Sequence, residues 1–294
     1  MGYKYFKMFF FMSRFFVVAV VLFSSQLLEA AFHPERSSPR SLGVGEATVS
    51  SADDTSAFVV NPAGLSRHAS IRRLSGHGFI QRKPSHYNVS GAFIDGVTED
   101  PLHWGFRFQH QSSALSKFQD YGLGLSSQWG EHILFGTSQH LQHFKTTARH
   151  QKTWAYTWHA GLLLLINDYW AFGASIENPY RFTKKRAIDP MIVRSGMSLN
   201  LESWRFLTQY DFDASHETQG LKAGLEWRTI ASLTLRGGFF HDFNRSFRRD
   251  DSLARGYSLG ASLEPDRHFS LDLAFLDQLK SSERILSFGL SVRI

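Results

Sequence analysis

The chain has 294 residues, one or two domains by length alone, and it contains no cysteine. The absence of cysteine excludes disulfides, thiolate metal sites and lipidation at a cysteine. With 43% hydrophobic residues and a mean hydropathy of −0.23, the chain is too polar for a helical membrane protein. Its formal net charge of +6 is compatible with nucleic-acid binding, so the positions of the charges must decide their purpose.

Residues 1–30 have the organisation of a secretory signal peptide. Lys4, Lys7 and Arg14 make its start basic, residues 15–23 form a short apolar core, and small residues suited to cleavage follow near Ala30. The alternative is an uncleaved helical anchor, but the apolar run is well short of the ~20 residues that a span needs. We predict export through a cleaved signal peptide, which argues against a nucleic-acid partner.

Residues 31–70, between the signal peptide and the first predicted strand, have the composition of a small plug. Residues 32–41 are polar, contain two prolines and are predicted to be extended. Gly43 and Gly45 then allow close backbone approach and unusual dihedral angles. Further on, Gly64 can end a helical turn. These features predict a compact segment inside a larger fold.

Two short helices are predicted in the second half of this segment. Asp53 or Asp54 can cap a helix over residues 55–60, since a side-chain oxygen satisfies a free N–H and a negative charge suits a helix N-terminus. Asn61 followed by Pro62 repeats the signal, with Asn as the N-cap and Pro at the first helical position. An ordinary surface helix-turn-helix is the alternative interpretation of these local signals.

From residue 71 to residue 294, apolar and polar side chains alternate with a period of two, which predicts β-strands. In the last segment, Leu286, Phe288 and Leu290 share one face, whereas Ser287 and Gly289 share the other. Most segments are close to the ~9–11 residues that a tilted membrane-spanning strand needs. About fourteen are predicted, near 71–83, 86–95, 102–112, 119–129, 131–143, 152–166, 169–178, 191–201, 204–214, 218–228, 233–243, 256–264, 269–277 and 285–294.

The polar face of these strands carries full charges, among them Arg107, Arg205, Lys222 and Asp272. In a dry sandwich core each charge would need a partner, whereas a large membrane barrel has a polar interior and an apolar exterior. We predict an all-β fold, a closed antiparallel transmembrane β-barrel over residues 71–294 with the N-terminal segment in its lumen. Glycines on the strands are predicted to leave room for it at Gly122, Gly124, Gly173, Gly196 and Gly237-Gly238.

The connections between the predicted strands support a membrane barrel. Such barrels alternate short periplasmic turns with longer outer loops. An even strand number returns the C-terminus to the periplasmic side and, if the first and last strands meet, leaves no unpaired edge in lipid. Short links are predicted at 129–131, 167–168, 201–203, 229–232 and 265–268, and mostly longer ones between them, including 113–118, 144–151, 179–190 and 244–255.

Residues 52–65, ADDTSAFVVNPAGL, resemble the ADDAS…NPAGL signature at the N-terminus of the FadL-like outer-membrane barrels. That group includes long-chain fatty-acid transporters and the PorV/PorQ-type proteins of a bacterial secretion system. The resemblance implies a fourteen-stranded barrel in the outer membrane of a Gram-negative bacterium, with an N-terminal helical hatch in its lumen. Asp53, Asp54, Asn61 and Pro62 would then hold the hatch and would not contact a ligand.

Two functions follow from this resemblance. The first is passive transport of small hydrophobic, fatty-acid-like molecules across the outer membrane. The alternative is a PorV-like, non-transporting barrel that acts as a scaffold or acceptor in protein secretion. The predicted outer loops are short for a ligand-capture site, which agrees somewhat better with the second function. A hydrophobic small molecule or a secretion partner is therefore expected, and no cofactor.

The 14 histidines do not predict a metal site or an enzyme. His140 and His143 lie three apart, which on a strand places them on opposite faces. His159 stands alone, and no histidine pair has a carboxylate at ligand spacing. An outer-membrane phospholipase would need Ser, His and an orienting polar group together, and no local serine motif indicates one.

The positive charge is concentrated in two predicted outer loops. One contains Lys184, Lys185 and Arg186, and the other contains Arg248 and Arg249. A solvated loop is the simpler interpretation. The functional alternative is that these side chains bind lipopolysaccharide phosphates, which makes outer-membrane lipid and lipopolysaccharide the expected partners.

Overall fold

The computed structural model describes residues 38–68, 71–81, 86–96, 102–113, 116–146, 152–179, 191–214, 218–244, 255–279 and 284–294. The predicted signal peptide, residues 1–30, lies outside the described residues. So do the basic side chains at 184–186 and 248–249. Within the described part, no helix is both long enough and apolar enough to cross a membrane.

Fourteen strands account for most of the described chain, and each overlaps one predicted segment. The link predicted at 113–118 is wrong, because β4 begins at Ser116 and extends that hairpin. The strands are β1 Arg72–Gln81, β2 His86–Asp95, β3 Leu102–Ser113, β4 Ser116–Trp129, β5 Ile133–Thr146, β6 Lys152–Leu165, β7 Trp170–Glu177, β8 Ile192–Asn200, β9 Trp204–Asp213, β10 Thr218–Ile230, β11 Leu233–Asn244, β12 Arg255–Leu263, β13 Phe269–Gln278 and β14 Arg284–Arg293.

The sheet closes on itself. Each strand pairs antiparallel with its sequence neighbours, and β1 also pairs with β14. In this closing pair, Arg73 lies opposite Arg293 and Gln81 lies opposite Ile285. Closure gives the first and last strands a hydrogen-bonding partner and leaves no sheet edge. The predicted closed antiparallel barrel of fourteen strands is therefore confirmed.

The two faces of the barrel wall differ as the alternation predicts. On β3, Trp104 and Phe106 are 38% and 45% exposed, whereas Arg107, the residue after Phe106, is only 1% exposed. Leu273 on β13 is likewise exposed, at 54%. Bulky apolar side chains therefore cover the outside of the barrel, and polar and charged side chains line the inside.

Residues 38–68 form three short helices that precede the barrel. The first, α1, is Pro39–Gly43, and Ser38 caps it by accepting a hydrogen bond from the Ser41 N–H. The prediction that residues 32–41 are extended is thus wrong at its C-terminal end. Ser as N-cap and Pro at the first helical position are together a helix start signal.

Two 3-10 helices follow α1. The first, Thr55–Phe58, is shorter than predicted and is capped by Asp54. The second is Pro62–His68, so the prediction that Gly64 ends this helix is wrong. Gly64 has a packing role, because a Cβ there would collide with the carbonyl oxygen of Ala52.

The strand connections fall into two sets at opposite ends of the barrel. The end where β1 begins carries the connections 96–101, 130–132, 166–169, 201–203, 231–232 and 264–268. The two longest connections, 178–191 and 245–254, lie at the opposite end. We call these the short-turn end and the long-loop end.

Candidate functional site

The N-terminal segment 38–68 contacts the inner face of the barrel along its whole length. Its helices pack against strands on both sides of the lumen, β3 to β6 for the second 3-10 helix and β11 to β14 for α1. Val44, Phe58 and Leu65 are fully buried in these contacts. The inner wall and this segment together are the candidate site.

An ion-pair cluster ties α1 to the wall at the short-turn end. Glu226 on β10 accepts hydrogen bonds from Arg40 Nε at 2.8 Å and Nη2 at 3.0 Å. The same carboxylate accepts from Arg236 Nε at 2.9 Å and Arg205 Nη1 at 3.2 Å. Arg236 also reaches Asp272 at 3.0 Å. One carboxylate therefore holds three guanidinium groups from three elements.

Gly43 and Gly45 bring the backbone after α1 against β11 and β12. The Gly45 N–H donates to Ser258 Oγ at 2.9 Å, and that hydroxyl donates to the Gly43 carbonyl at 3.1 Å. Gly45 has φ = +65°, a conformation that favours glycine. A Cβ on Gly238 would collide with the Gly45 backbone. Close approach, as predicted for these glycines, therefore occurs on both sides of the contact.

Lys222 on β10 forms an ion pair with Glu46, the residue that follows Gly45. Its Nζ lies 3.2 Å from Glu46 Oε2 and 2.8 Å from Asp211 Oδ2 on β9. Glu46 has φ = 62°, which is unusual for a residue with a side chain. The ion pair fixes the chain where it reverses after α1.

Asp53 and Asp54 have different roles. Asp54 Oδ1 accepts from the Ser56 N–H at 2.8 Å, and its Oδ2 accepts from Ser38 Oγ at 2.6 Å. Burial raises the pKa of Asp54, but Arg40 and these hydrogen bonds outweigh it and hold that pKa below its ordinary value. Asp53 is not the cap. It forms ion pairs with Arg40 and, at 3.3 Å, with Arg205.

The carbonyl groups at the end of the first 3-10 helix are held by four side chains of the wall. Ser138 Oγ and His140 Nε2 lie 2.5 and 3.1 Å from the Phe58 oxygen. His159 Nδ1 contacts the Val59 oxygen at 3.0 Å, and Ser175 Oγ donates to the Val60 oxygen at 2.6 Å. Neighbouring strands β5, β6 and β7 thus satisfy three successive carbonyl groups.

The histidines in this contact are not isolated, which corrects the sequence interpretation. His140 Nδ1 lies 3.0 Å from Asp120 Oδ2, and the rings of His140 and His159 are 4.8 Å apart. Arg107 donates to the same Asp120 oxygen at 2.9 Å. Antiparallel pairing places β3, β4, β5 and β6 side by side. The spacing of the histidines along the chain could not show which side chains meet across these strands. Among the described residues, no group of three or more metal-ligating side chains converges.

Asn61 joins the two halves of the segment and the wall. Its Nδ2 donates to the Val49 carbonyl at 2.7 Å and to the Leu162 carbonyl of β6 at 3.0 Å. Its Oδ1 accepts from the Ala63 N–H at 3.2 Å, which is the predicted capping contact. Pro62 packs against the wall where a Cβ on Gly136 would collide with it.

The predicted strand glycines divide by what an added Cβ would meet. Added Cβ atoms on Gly124, Gly173, Gly196 and Gly238 would meet the N-terminal segment. A Cβ on Gly122 would meet the His140 ring instead, and one on Gly237 would meet nothing within 4 Å. Room for the segment is thus made by four of the six predicted glycines.

The sequence interpretation missed Ser38 and Arg40, which it placed in an extended lead-in. It also assigned no role to Glu226, Ser138 or His159. The last three occupy the polar face of predicted strands, and that position is the signal that could have selected them.

No protein-family model matches this sequence, and no curated protein matches it either. The fold, however, is shared with solved outer-membrane proteins. The CymD monoaromatic hydrocarbon channel aligns with a TM-score of 0.70 at 11% identity, over 90% of this chain and 99% of that one. The Pseudomonas putida toluene transporter TodX aligns with a TM-score of 0.67 at 12% identity, over 89% and 98% of the two chains.

A Pseudomonas aeruginosa FadL homologue aligns with a TM-score of 0.65 at 12% identity, over 90% of this chain and 99% of that chain. Sequence identities at this level carry no information about individual residues. This chain therefore shares its barrel fold with these three proteins.

Proposed function

We propose that this protein is an outer-membrane channel through which small hydrophobic molecules pass passively. The observation that carries the proposal is the fold, shared over about nine tenths of the chain with CymD, a monoaromatic hydrocarbon channel. A toluene transporter and a FadL homologue have the same fold.

The outer surface of the barrel supports a membrane location. Leu123, Phe206 and Leu273 are each about half exposed, which is costly in water and favourable in hydrocarbon. The connections of the short-turn end suit the periplasmic side of an outer-membrane barrel, and the two longest loops suit the outside. The signal peptide proposed for residues 1–30 would deliver the chain to this membrane.

We propose that residues 38–68 act as a hatch. Support comes from the way the segment is held: it is not a strand of the sheet, and its hydrogen bonds to the wall run through side chains such as those of Asn61 and Arg40. The barrel closes through β1 and β14 without this segment, so its movement would leave the sheet intact. Asp53, Asp54, Asn61 and Pro62 would hold the hatch, while Gly43 and Gly45 allow its close approach.

A reversible cross-link tests whether the segment must move. Ser66 Oγ in the segment lies 2.7 Å from Ser126 Oγ on β4. Two cysteines there would be close enough for a disulfide, and the natural chain has no other cysteine. We expect cells that carry the oxidised S66C/S126C variant to take up radiolabelled toluene more slowly than wild-type cells. A reductant should restore the rate.

The uptake assay should use host cells with an intact lipopolysaccharide layer, because apolar molecules cross a plain phospholipid bilayer unaided. The control is S113C/S116C, whose hydroxyls lie 3.0 Å apart and join β3 to β4, two strands of the wall. Equal uptake by cells with and without the protein would remove the transport proposal. Normal uptake by cells with the oxidised S66C/S126C variant would contradict the proposal that the segment acts as a hatch.

The outer loops supply a further proposal about partners. We propose that Lys184, Lys185 and Arg186, with Arg248 and Arg249, bind lipopolysaccharide phosphates. Reversal of the 184–186 charges should weaken lipopolysaccharide binding by the purified protein. Arg267→Glu, in an exposed turn at the other end of the barrel, is the control and should have no effect.

The alternative function, a scaffold or acceptor in protein secretion, gains no support from the neighbours described above. Each of them is a channel, a transporter or a FadL homologue. Co-purification of a secretion component together with absent toluene uptake would favour it.

A further inference from the structure

A cavity of about 490 Å³ lies at the short-turn end of the lumen, beside the N-terminal segment. Its volume is within the range of about 300–1,000 Å³ that is typical of small-molecule sites. Side chains of the segment line one side, and those of β1, the end of β8, the turn 201–203 and β9 to β14 line the rest. Arginine is the commonest charged residue in this lining.

Most of these arginines already have acidic partners. Arg40, Arg205 and Arg236 share Glu226, and Arg236 also pairs with Asp272. Their positive charges are therefore largely compensated within the cluster described above. They do not need a ligand.

Arg67 and Arg73 differ from the others. Arg67 lines the cavity and has no hydrogen bond or ion pair to any described residue. Arg73 Nη1 donates to the Asp53 carbonyl at 3.0 Å, but its Nε is buried and has no hydrogen-bond partner in the described part of the chain. A buried, unpaired donor of a charged group is costly. Within the described part of the chain, Arg67 and the Nε of Arg73 lack an acceptor.

The electrostatic surroundings agree with the geometry. Burial, together with the positive charges of Arg205 and Arg40, lowers the pKa of Arg67 to about 10. Arg67 is still charged at neutral pH at that value. The two charges that act most on Arg67, those of Arg205 and Arg40, are of the same sign as its own, so an anion beside Arg67 would be favoured.

We propose that this cavity binds the carboxylate or phosphate group of a small organic anion, held by Arg67 and Arg73. The planar guanidinium presents paired donors that match the oxygens of either group. This inference rests on the proposed function and narrows it, because small organic anions would then be preferred cargo over neutral hydrocarbons of the same size.

Three probes of similar size distinguish the ligand chemistry: benzoate, phenyl phosphate and neutral benzyl alcohol. Each is titrated calorimetrically into the full-length protein in a neutral detergent at 0.15 M salt, where loose surface attraction is screened. We expect at least one anion to bind and benzyl alcohol not to bind. The anion that binds more tightly shows whether the site prefers a carboxylate or a phosphate group.

Arg67→Gln and Arg73→Gln test the residues independently, and each should weaken anion binding roughly tenfold or more, since a hydrogen bond to a charged group is lost. Arg67→Lys keeps the charge and should recover part of the affinity. The matched control is Arg72→Gln. Arg72 directly precedes Arg73 on β1, and its side chain is 49% exposed and pairs with Asp95 outside the cavity. This variant should bind as the wild type does.

The proposal is overturned if neither anion binds, if benzyl alcohol binds equally well, or if Arg72→Gln weakens binding as much as the cavity variants do. These outcomes are separable from failure of the transport function. Toluene uptake without anion binding would leave transport standing and remove this site. Anion binding without any uptake would support the site and remove the transport function.

Discussion

Arg40 in α1 and Glu226 on β10 form a two-point ion pair, with N···O distances of 2.8 and 3.0 Å, across 186 residues of sequence. Glu226 also binds Arg205 and Arg236, so it is the centre of the attachment between the N-terminal segment and the wall. The strength of that attachment can be measured.

We predict that Glu226→Gln destabilises the protein by about 3–5 kcal/mol, because three guanidinium groups lose the carboxylate that they share and, among the described residues, keep only Asp53 and Asp272 as ion-pair partners. Arg40→Gln should cost less, since Glu226 keeps Arg205 and Arg236. The measurement is the free energy of unfolding in urea with detergent. The exposed pair Arg72–Asp95 is the control, and Arg72→Gln should cost about 0–1 kcal/mol. Equal losses for the two pairs would contradict this account.

Asn61→Asp should release the segment from the wall more than Asn61→Ala does. The Asn61 amide donates to two carbonyl oxygens, and a carboxylate would place negative charge against both. Each lost buried hydrogen bond costs about 1–3 kcal/mol. Hydrogen exchange of residues 48–66, followed by mass spectrometry, reports the release.

The same substitution has a matched control at Asn167. That side chain only accepts, from the N–H groups of Tyr169 and Trp170, and a carboxylate can accept equally well. Asn167→Asp should therefore leave exchange in residues 48–66 unchanged. If Asn167→Asp increased exchange in residues 48–66 as much as Asn61→Asp does, the loss of protection could not be assigned to the two hydrogen bonds that Asn61 donates.

Gly173→Ala and Gly237→Ala should have opposite outcomes on the same barrel. A Cβ at position 173 would collide with the backbone of Val49 and Ser50, whereas one at position 237 would meet nothing within 4 Å. Overpacking at position 173 should cost about 1–3 kcal/mol. The unfolding free energy of Gly237→Ala should equal or exceed that of the wild type. A neutral Gly173→Ala would mean that Val49 can move away freely.

The attachment of the first 3-10 helix should weaken in acid through Asp54. Its pKa is lowered in the folded protein, so its stabilising effect is fully present above the unfolded value of about 3.9 and is lost as the pH falls through the folded pKa. Asp54→Asn keeps an oxygen to accept from the Ser56 N–H but does not titrate.

Hydrogen exchange of residues 54–58, corrected for the intrinsic effect of pH, measures this dependence. The wild type should be better protected than Asp54→Asn at pH 6. The difference should shrink as the pH falls below about 3.9. A difference that stays constant with pH would show that Asp54 acts without its charge.

The strand number and the orientation of the wall could be predicted from the sequence. Side chains alternate across a strand, so Trp104 and Phe106 had to share a face opposite Arg107. A membrane barrel needs the apolar face outside and a closed edge, which leaves few alternatives for the fold. Local capping chemistry likewise indicated helix starts at Asp53 or Asp54 and at Asn61.

The contacts between the segment and the wall could not be predicted in the same way. Asp120 and His140 meet because β4 and β5 pair in one register, and Arg40 meets Glu226 because the closed sheet surrounds α1. Gly64 shows the same limit, since its position depends on Ala52 and not on the end of a helix.

The alternation of apolar and polar side chains is enough to specify a barrel and the inward face of each strand, because this pattern is repeated in every strand and acts over neighbouring residues. The folded barrel sets which charges are paired and which, like those of Arg67 and Arg73, form no ion pair with a described residue. Pairing depends on distances between side chains that are far apart in the chain, and closure of the sheet fixes those distances.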